Sequence, residues 1–263
     1  MTRTAISPRL ATSTLLMAIA SPSNRLQPES RGGVPAPDNF ADQLTNPVTT
    51  EVEVPRPRIA HRRERVLAAA EGLLVHRGFD AMTITRVATE AGIGKGAFYL
   101  EFGDKQELLE ELLQLSLERV IERVSRSGPG GLGEGVRRVV LALLGEPLLV
   151  AALLDDRRVL GAGAAVAAEL RHAMQVALAA YLAALQEGGA VRAEPEPAAM
   201  AVAVLASITG FLTQARILGG AAAEVQAAAD ALALMVSGLA GAVAGDAELD
   251  PAGWLRLMVL LRH

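Results

Sequence analysis

The chain has 263 residues, with 25 Lys and Arg against 29 Asp and Glu, a net charge of −4 and no cysteine. Hydrophobic residues make up 51% but aromatics only 3%, so a core must be built from Ala, Leu and Val, which favour helix. The missing cysteines exclude disulfides, thiolate metal sites and thiol redox switches. The acidic total does not exclude a polyanionic partner, because the positive charges are clustered: Arg56, Arg58, Arg62, Arg63 and Arg65 meet only Glu64 in their neighbourhood.

Residues 1–55 carry Pro, Ser, Thr, Asn and Gly without sustained periodicity and read as a disordered extension. Arg3 and Arg9 ahead of Leu10 to Ala20 resemble a secretory leader, but Thr12, Ser13 and Thr14 dilute its apolar run. A first helix is predicted from Ile59 to His76, with Val66, Ala70, Leu73 and Leu74 forming one stripe. Gly78 supplies a left-handed residue after it, and Phe79 an apolar anchor. Thr83 caps a second helix whose inner face is Ile84, Val87, Ala88 and Ala91, and Gly92 stops it. Ile93 plugs the turn, and a third helix follows over Gly94 to Glu101, anchored by Phe98 and Phe102. Asp104 with Glu107 makes a capping box for a fourth helix, whose apolar face is Leu109, Leu113, Leu117, Val120, Ile121 and Val124.

Ser127-Gly-Pro-Gly-Gly131 is the clearest linker, and a domain boundary is placed there. Helical patterns follow near 133–145, 147–160, 164–187, 196–218, 222–244 and 251–262. The chain is therefore expected to be all-α. Ala198 to Ala215 carries no charge over a length close to the lower limit for a membrane span. Ser207, Thr209, Gly210, Thr213 and Gln214 interrupt it, so it is expected to be a bundle or interface helix, with no membrane partner.

Two short helices joined by a glycine turn, one helix before and a longer one after, is the arrangement that places a short helix in the DNA major groove. The residues Gly78-Phe79, Thr83, Val87-Ala88, Ala91-Gly92-Ile93, Gly96, Tyr99, Phe102, Lys105 and Leu108 together resemble the DNA-binding domain of the TetR family of bacterial transcriptional regulators. The resemblance covers about a fifth of the chain. It implies an N-terminal three-helix helix-turn-helix domain over 56–126 and an α-helical effector-binding and dimerisation domain over 132–263.

By that resemblance Thr83 and Thr85 meet a phosphate at the start of the second helix. Lys95, Gly96 and Ala97 face base edges, Tyr99 gives its hydroxyl to a phosphate, and Lys105 clamps the backbone from the fourth helix. A lysine at a base edge favours guanine O6 and N7. Without the family pattern, Tyr99 is equally a half-buried packing residue and Lys105 a surface lysine beside Asp104. The sequence departs from the pattern at Leu100 and Glu101, where aromatic or His residues are common, and at Ala97, where Thr or Ser is. Glu101 either accepts from a cytosine amine or pairs with a nearby basic side chain.

The second half carries no metal-ligand spacing, no phosphate-binding glycine motif and no histidine-centred triad, so neither enzyme activity nor a cofactor is expected. Asp155-Asp-Arg-Arg158 reads as a solvated cluster. The resemblance implies an effector pocket, for which His172, Gln175, Tyr181, Thr209 and Thr213 are the polar candidates. Scarce aromatics point to an aliphatic or acyl-like effector. It also implies a homodimer through the helices carrying Val202, Leu205, Ile208 and Leu212 and then Val225, Leu232, Met235, Val236 and Leu239. The expected function is a cytoplasmic, ligand-responsive repressor on a palindromic operator. The alternative is a helical effector-binding or protein-interaction module whose DNA binding has become non-specific.

Overall fold

A computed structural model describes residues 61–219, 222–241 and 252–256, all within one of the chain's two structural units, His61–His263. The extension, the leader-like run and the start of the basic arm lie outside the described residues. Every regular element among the described residues is helical.

Helix α1, Arg62–Arg77, buries Val66, Leu67, Ala70 and Leu74 along the predicted stripe. It ends at Gly78, whose φ of 79° and ψ of 164° lie beyond the left-handed helical region expected there. The reason is a close approach: a Cβ at Gly78 would strike the carbonyl of Arg158. Helix α2, Ile84–Glu90, begins where Thr83 accepts a hydrogen bond from the Arg86 N–H at 3.3 Å. Gly92, at φ 64°, turns the chain towards α3, Lys95–Phe98.

That third helix is half the predicted length. Glu101 and Phe102 both donate backbone N–H groups to Phe98, at 2.9 and 3.0 Å. Tyr99, Leu100 and Glu101 are thereby drawn into a turn, and Phe102 swings in as an anchor from outside the helix. Helix α4, Lys105–Ser125, is capped by Asp104, which accepts from the Gln106 and Glu107 N–H groups. Glu107 reaches back to the Gly103 N–H at 2.6 Å, closing the capping box one residue earlier than usual.

Beyond the glycine linker lie α5 (Leu132–Leu143) and α6 (Pro147–Leu153). The single helix predicted near 147–160 is broken. Asp155 takes φ 52°, Asp156 caps the short α7 (Arg157–Leu160), and a 3-10 turn over Gly161–Gly163 leads into α8, Ala164–Glu187. Two long helices follow, α9 (Pro197–Leu218) and α10 (Ala222–Ala240). Among the described residues, one apolar core draws on each of the helices α1–α10.

Helix α9 lies chiefly against α8, and α10 against α5. The second contact is unusually close, because a Cβ at Gly133 of α5 would collide with Ser237 and the Ala233 carbonyl of α10. By length and composition α9 and α10 could each cross a membrane, and 33% and 17% of their apolar windows are buried. Their outward faces are largely apolar, with Glu224 and Asp230 as exposed charges on α10. Ala199, Val202, Ala206, Gly210, Thr213 and Ile217 line α9, and Ala227, Ala231, Leu234, Met235 and Gly238 line α10, all exposed at helical spacing. The hydroxyls of Thr209 and Thr213 donate to carbonyls of their own helix, which keeps α9 effectively apolar.

Candidate functional site

The turn of α3 is held from behind by aromatic rings. Phe98 is fully buried and meets Tyr99 edge-on, with centroids 5.6 Å apart and planes at 89°. Phe102 lies tilted against it at 5.8 Å. With its inner side so fixed, α3 presents Lys95, Gly96, Tyr99 and Leu100 to solvent. Tyr99 is 50% exposed and Leu100 75%. A Cβ built on Gly94 or Gly96 would meet nothing within 4 Å. Neither glycine is required by the protein's own packing.

Thr83 and Thr85 are exposed at the start of α2, so they and the α3 residues lie on consecutive elements. Ala97 is only half-exposed. Lys105 is turned inward: its Nζ donates to the Phe79 carbonyl at 3.1 Å and sits 4.2 Å from the centre of the Phe79 ring. The structure thus groups Lys95, Gly96 and Tyr99 on one outward turn and ties Lys105 to the connection between α1 and α2.

The basic residues leading into the motif act as a brace. Arg62 pairs with the Glu101 carboxylate at 3.4 Å, and Arg63 donates to the Glu101 carbonyl at 2.9 Å. Arg63 also stands 4.4 Å over the Phe102 ring and pairs with Glu111 at 3.2 Å. Arg65 covers the Gly92 turn, its guanidinium 2.5 Å from where a Cβ would stand. Glu101 therefore pairs with a basic neighbour. Sequence reasoning did not nominate this brace, nor the exposed Leu100, nor Arg86, which donates to the Ala81 carbonyl at 3.1 Å. Helix periodicity carries no signal for contacts made 38 residues apart, as Arg63 to Glu101 is.

A cavity of about 250 Å³ opens between α6, α8 and α9, bounded by Leu153, Arg171, Met174, Gln175, Leu205 and Thr209, and also by Val202 and Ala206 of the outward α9 face. Two of the five polar candidates, Gln175 and Thr209, line it. His172 and Thr213 are exposed elsewhere, and Tyr181 is half-buried away from it. Arg171 was not foreseen. Its Nη1 donates to the Ala152 carbonyl at 2.6 Å and its Nη2 to Asp155 at 3.2 Å. Nor is the cluster at 155–158 merely solvated: Asp156 binds Arg216 of α9 at 2.9 Å. That hydrogen bond, with the Arg158 N–H, holds the Asp156 carboxyl below the ordinary aspartate range. Among the described residues, no three His, Asp or Glu side chains are grouped to hold a metal ion.

Comparison with known proteins agrees with this geometry. A family model described as bacterial regulatory proteins, tetR family, matches residues 66–112. The HTH-type transcriptional regulator YerO of Bacillus subtilis is 46% identical over 48 residues, 18% of this chain and 17% of that protein. The HTH-type transcriptional repressor BepR of Brucella suis is 37% identical over 54 residues, 20% of this chain and 26% of that one. The chain matches less than half the length of each such relative. A TetR-family transcriptional regulator from Rhodococcus sp. superposes with a TM-score of 0.56 at 21% identity, over 69% of this chain and 100% of that structure. At that identity the likeness is one of fold.

Proposed function

Since the chain belongs to the TetR family of bacterial regulatory proteins, we propose that it is a cytoplasmic transcriptional repressor. It binds a palindromic operator as a homodimer and is released by a small-molecule inducer. Its reading domain spans residues 56–126 and its effector and dimerisation domain 132–263. The observation that carries this reading is the outward turn of α3. Lys95 and the Tyr99 hydroxyl flank a backbone lowered by Gly94 and Gly96, with empty space where side chains would otherwise keep a groove away. Thr83 and Thr85 at the start of α2, and Lys105 once it leaves Phe79, supply phosphate contacts.

The largely apolar outer faces of α9 and α10 support dimerisation. Small residues let a second pair of helices approach closely, and an exposed apolar face of that length calls for a cover. Two-fold symmetry then sets two α3 turns at half-sites about 34–36 Å apart or at a related spacing. The aliphatic lining of the cavity supports an aliphatic effector, since no aromatic ring bounds it.

The test is a titration against duplex DNA from upstream of the chain's own gene, beside a scrambled duplex at the same salt. Selective binding with a steep negative slope of log affinity against log salt is expected. Equal affinity for that duplex, for sequences recovered by selection from random DNA, and for the scrambled control would overturn the reading.

A further inference from the structure

Arg171 is the one charged side chain among the residues lining the cavity, and it is also a tie. Its guanidinium holds the end of α6 through the Ala152 carbonyl and the following turn through Asp155. Asp155 sits at φ 52°, a backbone state that costs a residue with a side chain, and Arg157 holds its other oxygen at 3.0 Å. From there the chain runs directly onto the reading domain. The Phe79 N–H donates to the Val159 carbonyl at 2.8 Å, and the Ala162 N–H donates to Asp80 at 3.0 Å. No side chain fits at Gly78 against Arg158, nor at Gly161 against Asp80. Phe79 in turn carries Lys105 on its carbonyl and its ring. A short covalent and hydrogen-bonded path thus joins the cavity wall to the turn between α1 and α2.

We propose that the cavity binds a small aliphatic carboxylate whose head group takes Arg171 from Asp155, and that this exchange loosens the 155–163 segment from the α1–α2 turn. The proposal rests on the reading of the chain as a ligand-released regulator and names the ligand class and the route. Leu153, Met174 and Leu205 offer an aliphatic wall, Gln175 and Thr209 polar margins, and Arg171 a planar fork matched to a carboxylate. The swap leaves Asp155 compensated by Arg157, so no bare buried charge results. An apolar cavity of roughly 150 Å³ holds benzene, so one of this size suits about ten non-hydrogen atoms. Octanoate is such a molecule.

The test uses the full chain without DNA. Calorimetry with octanoate and with octan-1-ol compares two ligands of equal chain length that differ in the head group. Octanoate is expected to bind about tenfold tighter or more, as a charge-assisted pair allows, and Arg171→Gln to erase the difference. Asp155→Asn removes the competitor and should tighten octanoate, which a folding defect cannot mimic. Equal binding of acid and alcohol, no binding of octanoate at millimolar concentration, or an unchanged affinity in Asp155→Asn would overturn the site. Hydrogen exchange at the Phe79 and Ala162 amides should quicken with octanoate bound, and unchanged exchange would overturn the route. Because no DNA is present, either failure leaves the regulator reading standing. Failure to bind any operator, with these responses intact, would sink that reading and leave the site.

Discussion

Arg119 of α4 donates its Nε–H to the Glu146 carboxylate at 2.9 Å, across the join between α5 and α6. The same guanidinium reaches Glu71 of α1 at 2.6 Å and Ser116 at 2.9 Å. Arg123 takes the other oxygen of Glu146 and donates to the Ala142 carbonyl at 2.7 Å. Glu146 is only 3% exposed, so its charge stays buried because two guanidiniums answer it. Hydrogen bonding to Glu146 in turn raises the pKa of Arg119 above its ordinary value. One carboxylate thus fastens α4 to the α5–α6 connection, with α1 attached through Glu71.

Glu146→Gln is expected to lower stability by about 1–3 kcal/mol, since it removes the charge yet keeps the shape. The loss is moderated because both arginines are partly hydrated. Chemical denaturation measures it, and an unchanged midpoint would show the network to be energetically idle.

Gly92→Ala and Gly96→Ala should behave oppositely. At Gly92 an alanine meets both a positive φ of 64° and the Arg65 guanidinium, and a cost of about 1–2 kcal/mol is expected. At Gly96 it meets empty space inside a helix, so the melting temperature should hold or rise slightly. DNA affinity should nonetheless fall, because the methyl stands where the groove would come. A Gly96→Ala variant that binds DNA normally would remove α3 from the interface.

Tyr99→Phe deletes one hydroxyl from a half-exposed ring and should weaken DNA binding without moving the melting temperature. Lys105→Ala should lower both, because Lys105 also holds the Phe79 carbonyl and ring. Paired melting curves and DNA titrations separate the two roles. Equal stability of the two variants would mean that the inward contacts of Lys105 contribute nothing.

Much of the reading domain was legible because its signals are local. The caps at Thr83 and Asp104, the stop at Gly92 and the anchors Phe98 and Phe102 each declare themselves within a turn or two of the chain. The length of α3 was not legible, since its end is set by Phe102 folding inward and by the arginine brace on Glu101. The break at Asp155 was hidden for a related reason. Leu, Val and Ala run through 148–154 and the charged 155–158 that follows fits the solvated face of a continuing helix, whereas the kink is held by Arg171 and Arg216, which are distant in sequence. The cavity was half legible: Gln175 and Thr209 stood out as polar groups in apolar helices. Arg171 carries no local signal, because its partners Ala152 and Asp155 belong to other elements.

Leu234→Glu places a charge on the outer face of α10 at a side chain 76% exposed in the single chain. The variant is expected to fold with unchanged helix content and to sediment as a monomer, against the dimer proposed for the parent chain. A dimer that persists would move the subunit interface away from α10.

Asp156→Asn retains the α7 cap and removes the ion pair with Arg216. The folded carboxyl lies below its ordinary value of 3.8. Its contribution is therefore complete above that value and drains away as the pH falls through the lowered one. The variant should be less stable by about 1 kcal/mol at neutral pH, with the gap to the parent closing as the pH falls below the ordinary value of 3.8 and through the lowered one. Urea midpoints across that range provide the check, and a gap that does not narrow would contradict it.

The absent side chain at Gly133 has a consequence for reach. Helix α10 rests on the bare backbone of α5 at that point, so the distance between the two is set by a single hydrogen atom. In a two-fold assembly built on α10, any widening there would be repeated across the axis. The span between the two reading turns would change by both increments together, so in the proposed dimer residue 133 would act as a calibrating shim for the length of DNA the pair could straddle.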